Sequence, residues 1–299
     1  MDVVWTLATA VTLALACALL GSFLALRRTL LLGDALSHAV LPGVVLAFLW
    51  SGSRELLPML LGAGAAALVA TLLLELLQWR FRVHPDAALG AVLATFFAAA
   101  ILLLSRFAGQ VDLDAECVLY GELAYVPLEL VSVMGVEAPR GLWTSTVLLA
   151  GVGLFVWLAY KELALVSFDP TFAASIGRSP RRWSLALMGL TAAVTVVALE
   201  LVGAILVVAL LVEPAAGARL LTRRLPQMLL VSALLALGSV GAGYGLAWAF
   251  DGALAGWIAV VAGGHVGVLV LLRRLRKAPA SAQEPFAAEQ GDDHAQQPR

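Results

Sequence analysis

Asp34 and His38 stand four residues apart within LLLGDALSHAVLPGVVLAFL, residues 30–49. On a helix that spacing puts carboxylate and imidazole on one face, within reach of a shared ion. An oxygen and an imidazole nitrogen suit a borderline divalent ion such as Zn, Mn or Fe better than a hard alkaline-earth ion. Two ligands from one helix leave coordination positions open, which a site needs if its ion must also leave. The same spacing fits a second arrangement, in which Asp34 caps the helix start and His38 hydrogen-bonds nearby backbone. Ionisable groups at the centre of a bilayer cost about 2.5–3.5 kcal/mol even on lenient insertion scales, so each requires a partner or a wet cavity. By that standard Glu213 and His265 are further candidate ligands, although an interior hydrogen bond accounts for either one singly.

The elements that position these groups follow from composition. Of 299 residues, 62% are hydrophobic and 13% charged, well away from the balance of a soluble domain. Many windows reach the roughly 20 apolar residues that cross a hydrocarbon core as a helix, and none shows the alternation of a barrel strand. The sequence therefore predicts an all-α, polytopic membrane protein. Nine spans are expected, near 5–26, 30–50, 56–77, 87–104, 142–160, 183–199, 201–220, 227–250 and 254–272, with eight as the alternative if the pair around Glu200 merges. Arg and Lys cluster between alternate spans, and the positive-inside rule then places the N-terminus outside and the C-terminus in the cytoplasm. Residues 1–277 form the transmembrane domain, and 278–299, rich in Gln, Ala, Glu, Asp and Pro, read as a disordered cytoplasmic tail. The long segment 105–141 reads as an acidic extracytoplasmic loop, and Glu200 falls at an outer turn. Cys17 and Cys117 show no disulfide or metal-knuckle spacing.

A second constellation, SFDPTFAASIG, occupies residues 167–177 in the most basic loop. Asp169 suits an N-cap, Pro170 the first helical position, and Gly177 a left-handed helix end. The result is one short amphipathic helix with Phe172 and Ile176 on one side, either an ordinary interfacial helix or a docking peg for a cytoplasmic partner. No phosphate-binding loop, dinucleotide turn, Ser/His/Asp arrangement or HExxH motif occurs. Energy for transport must come from an ion gradient or from another subunit.

The segment LRRTLLLGDALSHAVLPGVVLAF, residues 26–48, closely resembles the signature of the zinc/manganese/iron class of ATP-binding-cassette permeases. VLYGELA at 118–124, SFDPTFAASIG and VGAILVVALLVEPAAGARLL at 202–221 resemble later motifs of that family in the same order. The resemblance implies a cobalamin-importer-like permease fold in a bacterial plasma membrane. It also implies cytoplasmic ATPase subunits, an extracytoplasmic metal-binding protein, a second permease copy and surrounding lipid, with no nucleic acid. No permanent cofactor is implied, only a transported Zn, Mn or Fe ion. Asp34 and His38 match the positions of metal contact, and Glu122 matches a position that is often acidic. The segment 165–182 matches the coupling region, with Asp169, Pro170, Phe172, Ala173 and Gly177 in the helix that the ATPase grips. Glu200, Glu213 and the run Gly263, Gly264, His265 depart from the family pattern. Alternatives of other kinds are a siderophore- or cobalamin-type permease and a gradient-driven secondary transporter; an intramembrane enzyme lacks an evident nucleophile and base.

Overall fold

The computed structural model describes residues 2–27, 29–30, 35, 38–52, 56–107, 123, 130–133 and 136–277. In chain order they form α1 (Asp2–Leu26), α2 (Leu41–Ser51), α3 (Leu56–Trp79), α4 (Pro85–Phe107), β1 (Leu130–Val133) and β2 (Val136–Pro139). The second half holds α5 (Arg140–Phe168), α6 (Pro170–Ser175), α7 (Pro180–Val202), α8 (Ala204–Leu221), α9 (Leu225–Ala249) and α10 (Leu254–Lys277). Among the described residues eight helices are long and apolar enough to cross a membrane. The expected second span appears there as the shorter α2, preceded by Ala35, His38 and Ala39 in helical geometry.

The core forms around α1. Its consecutive residues Ala16, Cys17 and Ala18 are all buried, as are Phe23, Leu24 and Ala25, so it is enclosed on every side rather than along one stripe. It packs against α5, α7, α8 and α9. Small and hydroxylated residues permit this closeness, as is usual where lipid removes the hydrophobic drive between helices. Thr12 Oγ1 lies 2.7 Å from Ser145 Oγ of α5, and Ser232 Oγ of α9 donates to the Ala18 carbonyl at 3.2 Å. Arg219 of α8 reaches the Ala25 carbonyl near the end of α1.

A second group, α2, α3 and α4, stands beside this core, and α3 joins it by packing along α7. The contact between α2 and α3 is made backbone to backbone at Gly43 and Gly62. A Cβ on either glycine would collide with the carbonyl oxygen of the other.

Two expectations change. The break expected near Glu200 falls at Gly203, whose φ of 79° and ψ of 165° belong to a region open essentially to glycine alone. Glu200 therefore lies in the last turn of α7 rather than in an outer turn. Within the segment read as a loop, β1 and β2 pair antiparallel with Leu130 opposite Pro139 and Val133 opposite Val136, and Ala138 and Pro139 are buried at the entry to α5. Asp34, Glu122, Cys117, the acidic residues 112–116 and the tail 278–299 lie outside the described residues.

Candidate metal centre

His38 is half-buried at the approach to α2, and its ring meets Phe97 of α4 edge-on, with centroids 5.8 Å apart and planes at 86°. An edge-to-face contact helps fix the plane of an imidazole. Its companion Asp34 is among the residues not described.

Glu213 and His265 sit on α8 and α10, which pack against each other and against α9. The chemistry of His265 can be followed atom by atom. Its Nδ1 lies 3.1 Å from Ser239 Oγ of α9, and that hydroxyl donates its one proton to the Leu235 carbonyl at 2.9 Å. The Ser239 hydroxyl thus engages Nδ1 of the ring, leaving Nε2 as the nitrogen with no protein hydrogen bond assigned among the described residues. Orientation of an imidazole by a hydrogen bond at one nitrogen is how protein ligands present the other nitrogen to a metal.

Glu213 is half-buried, and its Oε2 is shielded from solvent and makes no hydrogen bond among the described residues. A buried carboxylate oxygen without a donor is costly, and a cation is one way to satisfy it. Space for this group comes from α10. A Cβ on Gly263 would stand 3.2 Å from Glu213 Oε1, so the missing side chain makes the room that the carboxylate occupies. The residue after Glu213 is Pro214, inside α8, which has no N–H to offer the Leu210 carbonyl one turn earlier. The departures Glu213 and Gly263 thus compensate one another in space.

Among the described residues no three His, Cys, Asp or Glu side chains converge on one point. His38 belongs to the α2–α4 group, and Glu213 and His265 to the α8–α10 group. A complete shell within one chain is not formed by these residues alone.

The segment 169–177 adopts the expected helix. Asp169 Oδ1 accepts from Thr171 Oγ1 at 2.6 Å and from the Phe172 N–H at 2.9 Å, and Pro170 opens α6. At the other end the Arg178 N–H reaches the Ala173 carbonyl at 2.9 Å and the Gly177 N–H the Ala174 carbonyl at 3.1 Å, with Gly177 at φ 80°. This is the Schellman closure that left-handed glycine makes possible. Ala173 is fully buried, while Phe172 and Ile176 are exposed. The hydrogen bond from the Thr171 hydroxyl, and after it the Phe172 N–H, hold the Asp169 carboxyl below its ordinary range.

Polar ties that the sequence reading did not identify surround this helix. Arg27, at the end of α1, donates from Nε to Ser167 Oγ at 3.0 Å, and burial lowers its pKa to about 10. Arg178 faces Glu162 of α5 at 3.7 Å. Glu75 of α3 is buried and faces Arg181 Nε at 3.4 Å. Each tie joins one segment of the chain to another, and only the charges themselves are visible in one sequence.

The helices, the capped segment and the polar groups inside the bundle describe a polytopic transport protein. Residues 2–273 match the family model described as the ABC 3 transport family, and the chain belongs to that family. It is 39% identical over 260 residues to the manganese transport system membrane protein MntD of Bacillus subtilis, covering 87% of this chain and 88% of that one. It is 40% identical over 254 residues to the zinc transport system membrane protein TroD of Treponema pallidum, covering 85% and 69%. Among solved structures, PsaBC from Streptococcus pneumoniae in complex with Fab superposes with a TM-score of 0.73 at 27% identity, over 90% of this chain and 91% of that one.

Proposed function

We propose that this chain is the membrane-spanning permease subunit of an ATP-driven importer for a divalent transition-metal ion of the Zn, Mn or Fe class. An imidazole held at Nδ1 by Ser239 and a carboxylate oxygen with no hydrogen bond among the described residues, both inside the bundle of an ABC 3 family member, carry this reading. Asp34, His38, Glu213 and His265 contact the ion, with Glu122 a candidate contact outside the membrane. The ion arrives from an extracytoplasmic binding protein. A second permease copy, or a paralogue, stands beside the chain, and cytoplasmic ATPase subunits grip α6. The N-terminus lies outside and the C-terminal residues lie in the cytoplasm.

Reconstitution of the chain with its ATPase in liposomes tests this reading. ATP-dependent accumulation of Mn, Zn or Fe that survives a protonophore is the expected result. Accumulation that needs no ATPase and collapses on proton uncoupling would replace it with a gradient-driven transporter.

The capping geometry makes a separate prediction about docking. Asp169→Ala is expected to weaken recovery of the ATPase with the permease several-fold, whereas Asp169→Asn, which caps nearly as well, retains most of it. Because the folded carboxyl titrates below its ordinary value, the stabilisation is complete above the unfolded pKa and is lost as pH falls through the folded one. Pull-down across a pH series should therefore show no contribution from Asp169 titration near neutrality, and weakening only in acid.

A further inference from the structure

Glu75 is a carboxylate in a membrane helix with a side chain only 3% exposed. It sits about 6 Å from the end of α3, given a rise of roughly 1.5 Å per residue. Its Oε1 makes no hydrogen bond among the described residues and faces Arg181 Nε at 3.4 Å. Arg181 is the second residue of α7, and its side chain is 60% exposed, so it covers the buried acid from outside. The link to α6 is short and stiff. Gly177 closes α6, Ser179 Oγ caps α7 by accepting the Arg182 N–H at 3.4 Å, and Pro180 fixes the first turn. On the other side α3 meets α2 through Gly43 and Gly62, with no side chain between the two backbones to absorb a displacement.

We propose that Glu75 and Arg181 are positioning residues that carry motion of α6 to α3, and through α3 to α2 and the His38 segment. This rests on the reading of α6 as the ATPase docking helix and of His38 as a metal contact. The physical reason is the asymmetry of an ion pair whose acid is buried. The pair adds little net stability, but separating it leaves an unsolvated charge, which is strongly unfavourable. When α6 and the start of α7 shift together, α3 therefore follows Arg181 instead of releasing it. Packing alone permits the helices to slide; the charge pair fixes one point along them.

The test uses the full permease–ATPase complex in liposomes with Glu75→Gln, Arg181→Gln, Arg181→Lys and the double Gln variant. Glu75→Gln keeps shape and hydrogen-bonding capacity while removing the charge. Metal uptake is expected to fall about tenfold while ATP hydrolysis stays within about twofold of wild type, the size of effect typical for residues along a coupling route. Arg181→Gln should match it, the double variant should be no worse than either single one, and Arg181→Lys should retain uptake. A second readout needs no metal. In a Cys117→Ser background, a cysteine replacing the exposed Leu46 of α2 is labelled with a maleimide, with and without vanadate-trapped nucleotide. The wild-type rate should change on trapping, and the Glu75→Gln rate should not. Uptake and hydrolysis falling together in proportion to recovered complex would overturn the proposal, as would a Glu75→Gln chain whose α2 still responds to nucleotide or a wild-type α2 that does not. If the wild-type α2 responds, Glu75→Gln silences it and wild type moves no metal, the linkage stands and the transported substrate is misassigned.

Discussion

His265→Ala is expected to reduce metal uptake by more than about 100-fold, because loss of a mere supporting partner of a metal ligand already costs about 10- to 100-fold in affinity or activity. The supporting partner is on hand for comparison. Ser239→Ala removes the hydroxyl that holds Nδ1, frees the ring to turn, and should fall within that 10- to 100-fold range. His38→Ala should match His265→Ala, since each removes one imidazole from the path. Uptake of radioactive or fluorescently detected metal, normalised to permease in the membrane, gives the measurement. Equal losses for Ser239→Ala and His265→Ala, or normal uptake by His265→Ala, would remove His265 from the ion path. The graded series matters because a structural histidine gives a different order. There, loss of folded protein tracks loss of uptake in every variant.

Gly43→Leu is expected to prevent the chain from accumulating as a folded membrane protein. An added Cβ meets the Gly62 carbonyl and the Ala66 methyl, and backbone cannot rotate away as a side-chain end can. Overpacking by single methylenes typically costs about 1–3 kcal/mol, and collision with backbone exceeds that range. Among the described residues α2 packs chiefly on α3 and α4, so separating α2 from α3 removes much of its support. Gly43→Ala should be the milder member of the pair, lowering the midpoint of thermal unfolding in detergent by about 2–4 °C per kcal/mol lost. Size-exclusion profiles and thermal stability of the two variants check this. A monodisperse Gly43→Leu protein with unchanged stability would mean that the helices pack differently.

The parts legible in the sequence are those written in local chemistry. Hydropathy and charge placed most long helices within about three residues of their observed ends, but α5 runs on past the expected 160 to Phe168 and α10 past 272 to Lys277, because charged residues end an apolar run without ending a helix. Asp169, Pro170 and Gly177 specified α6 because each acts on backbone within its own turn, and the structure shows each in the expected geometry. The break between α7 and α8 was anticipated but misplaced, since Glu200 attracts attention as a charge while the conformational demand is met three residues later at Gly203. The hairpin of β1 and β2 was missed because a segment dominated by acidic residues reads as loop, although the β-branched residues on either side of Met134 and Gly135 carried a strand signal.

The candidate site was legible only where spacing encodes it, as for Asp34 and His38. Tertiary pairings were not. Glu213 and Gly263 looked like two unrelated departures from a family pattern, and a lone sequence cannot show that one makes room for the other. Ser239 gave no signal, being one hydroxyl among many in apolar helices. Arg181 was submerged in a basic cluster whose members are equivalent to the positive-inside rule. Glu75 stands near a span end, where an acid ordinarily reaches water, and only the burial of its side chain marks it as different.

The capped and closed form of α6 has a consequence for how tightly a partner is held. Its cap and closing hydrogen bonds all come from residues 169–178. A segment that folds on docking spends part of its contact energy on its own ordering. Here that entropy loss has already occurred before encounter, so most of the contact energy of the exposed Phe172 and Ile176 is realised as affinity. A peptide copying this stretch without Gly177 would have to recover the same ordering from its target, and should be a markedly poorer competitor than the intact segment.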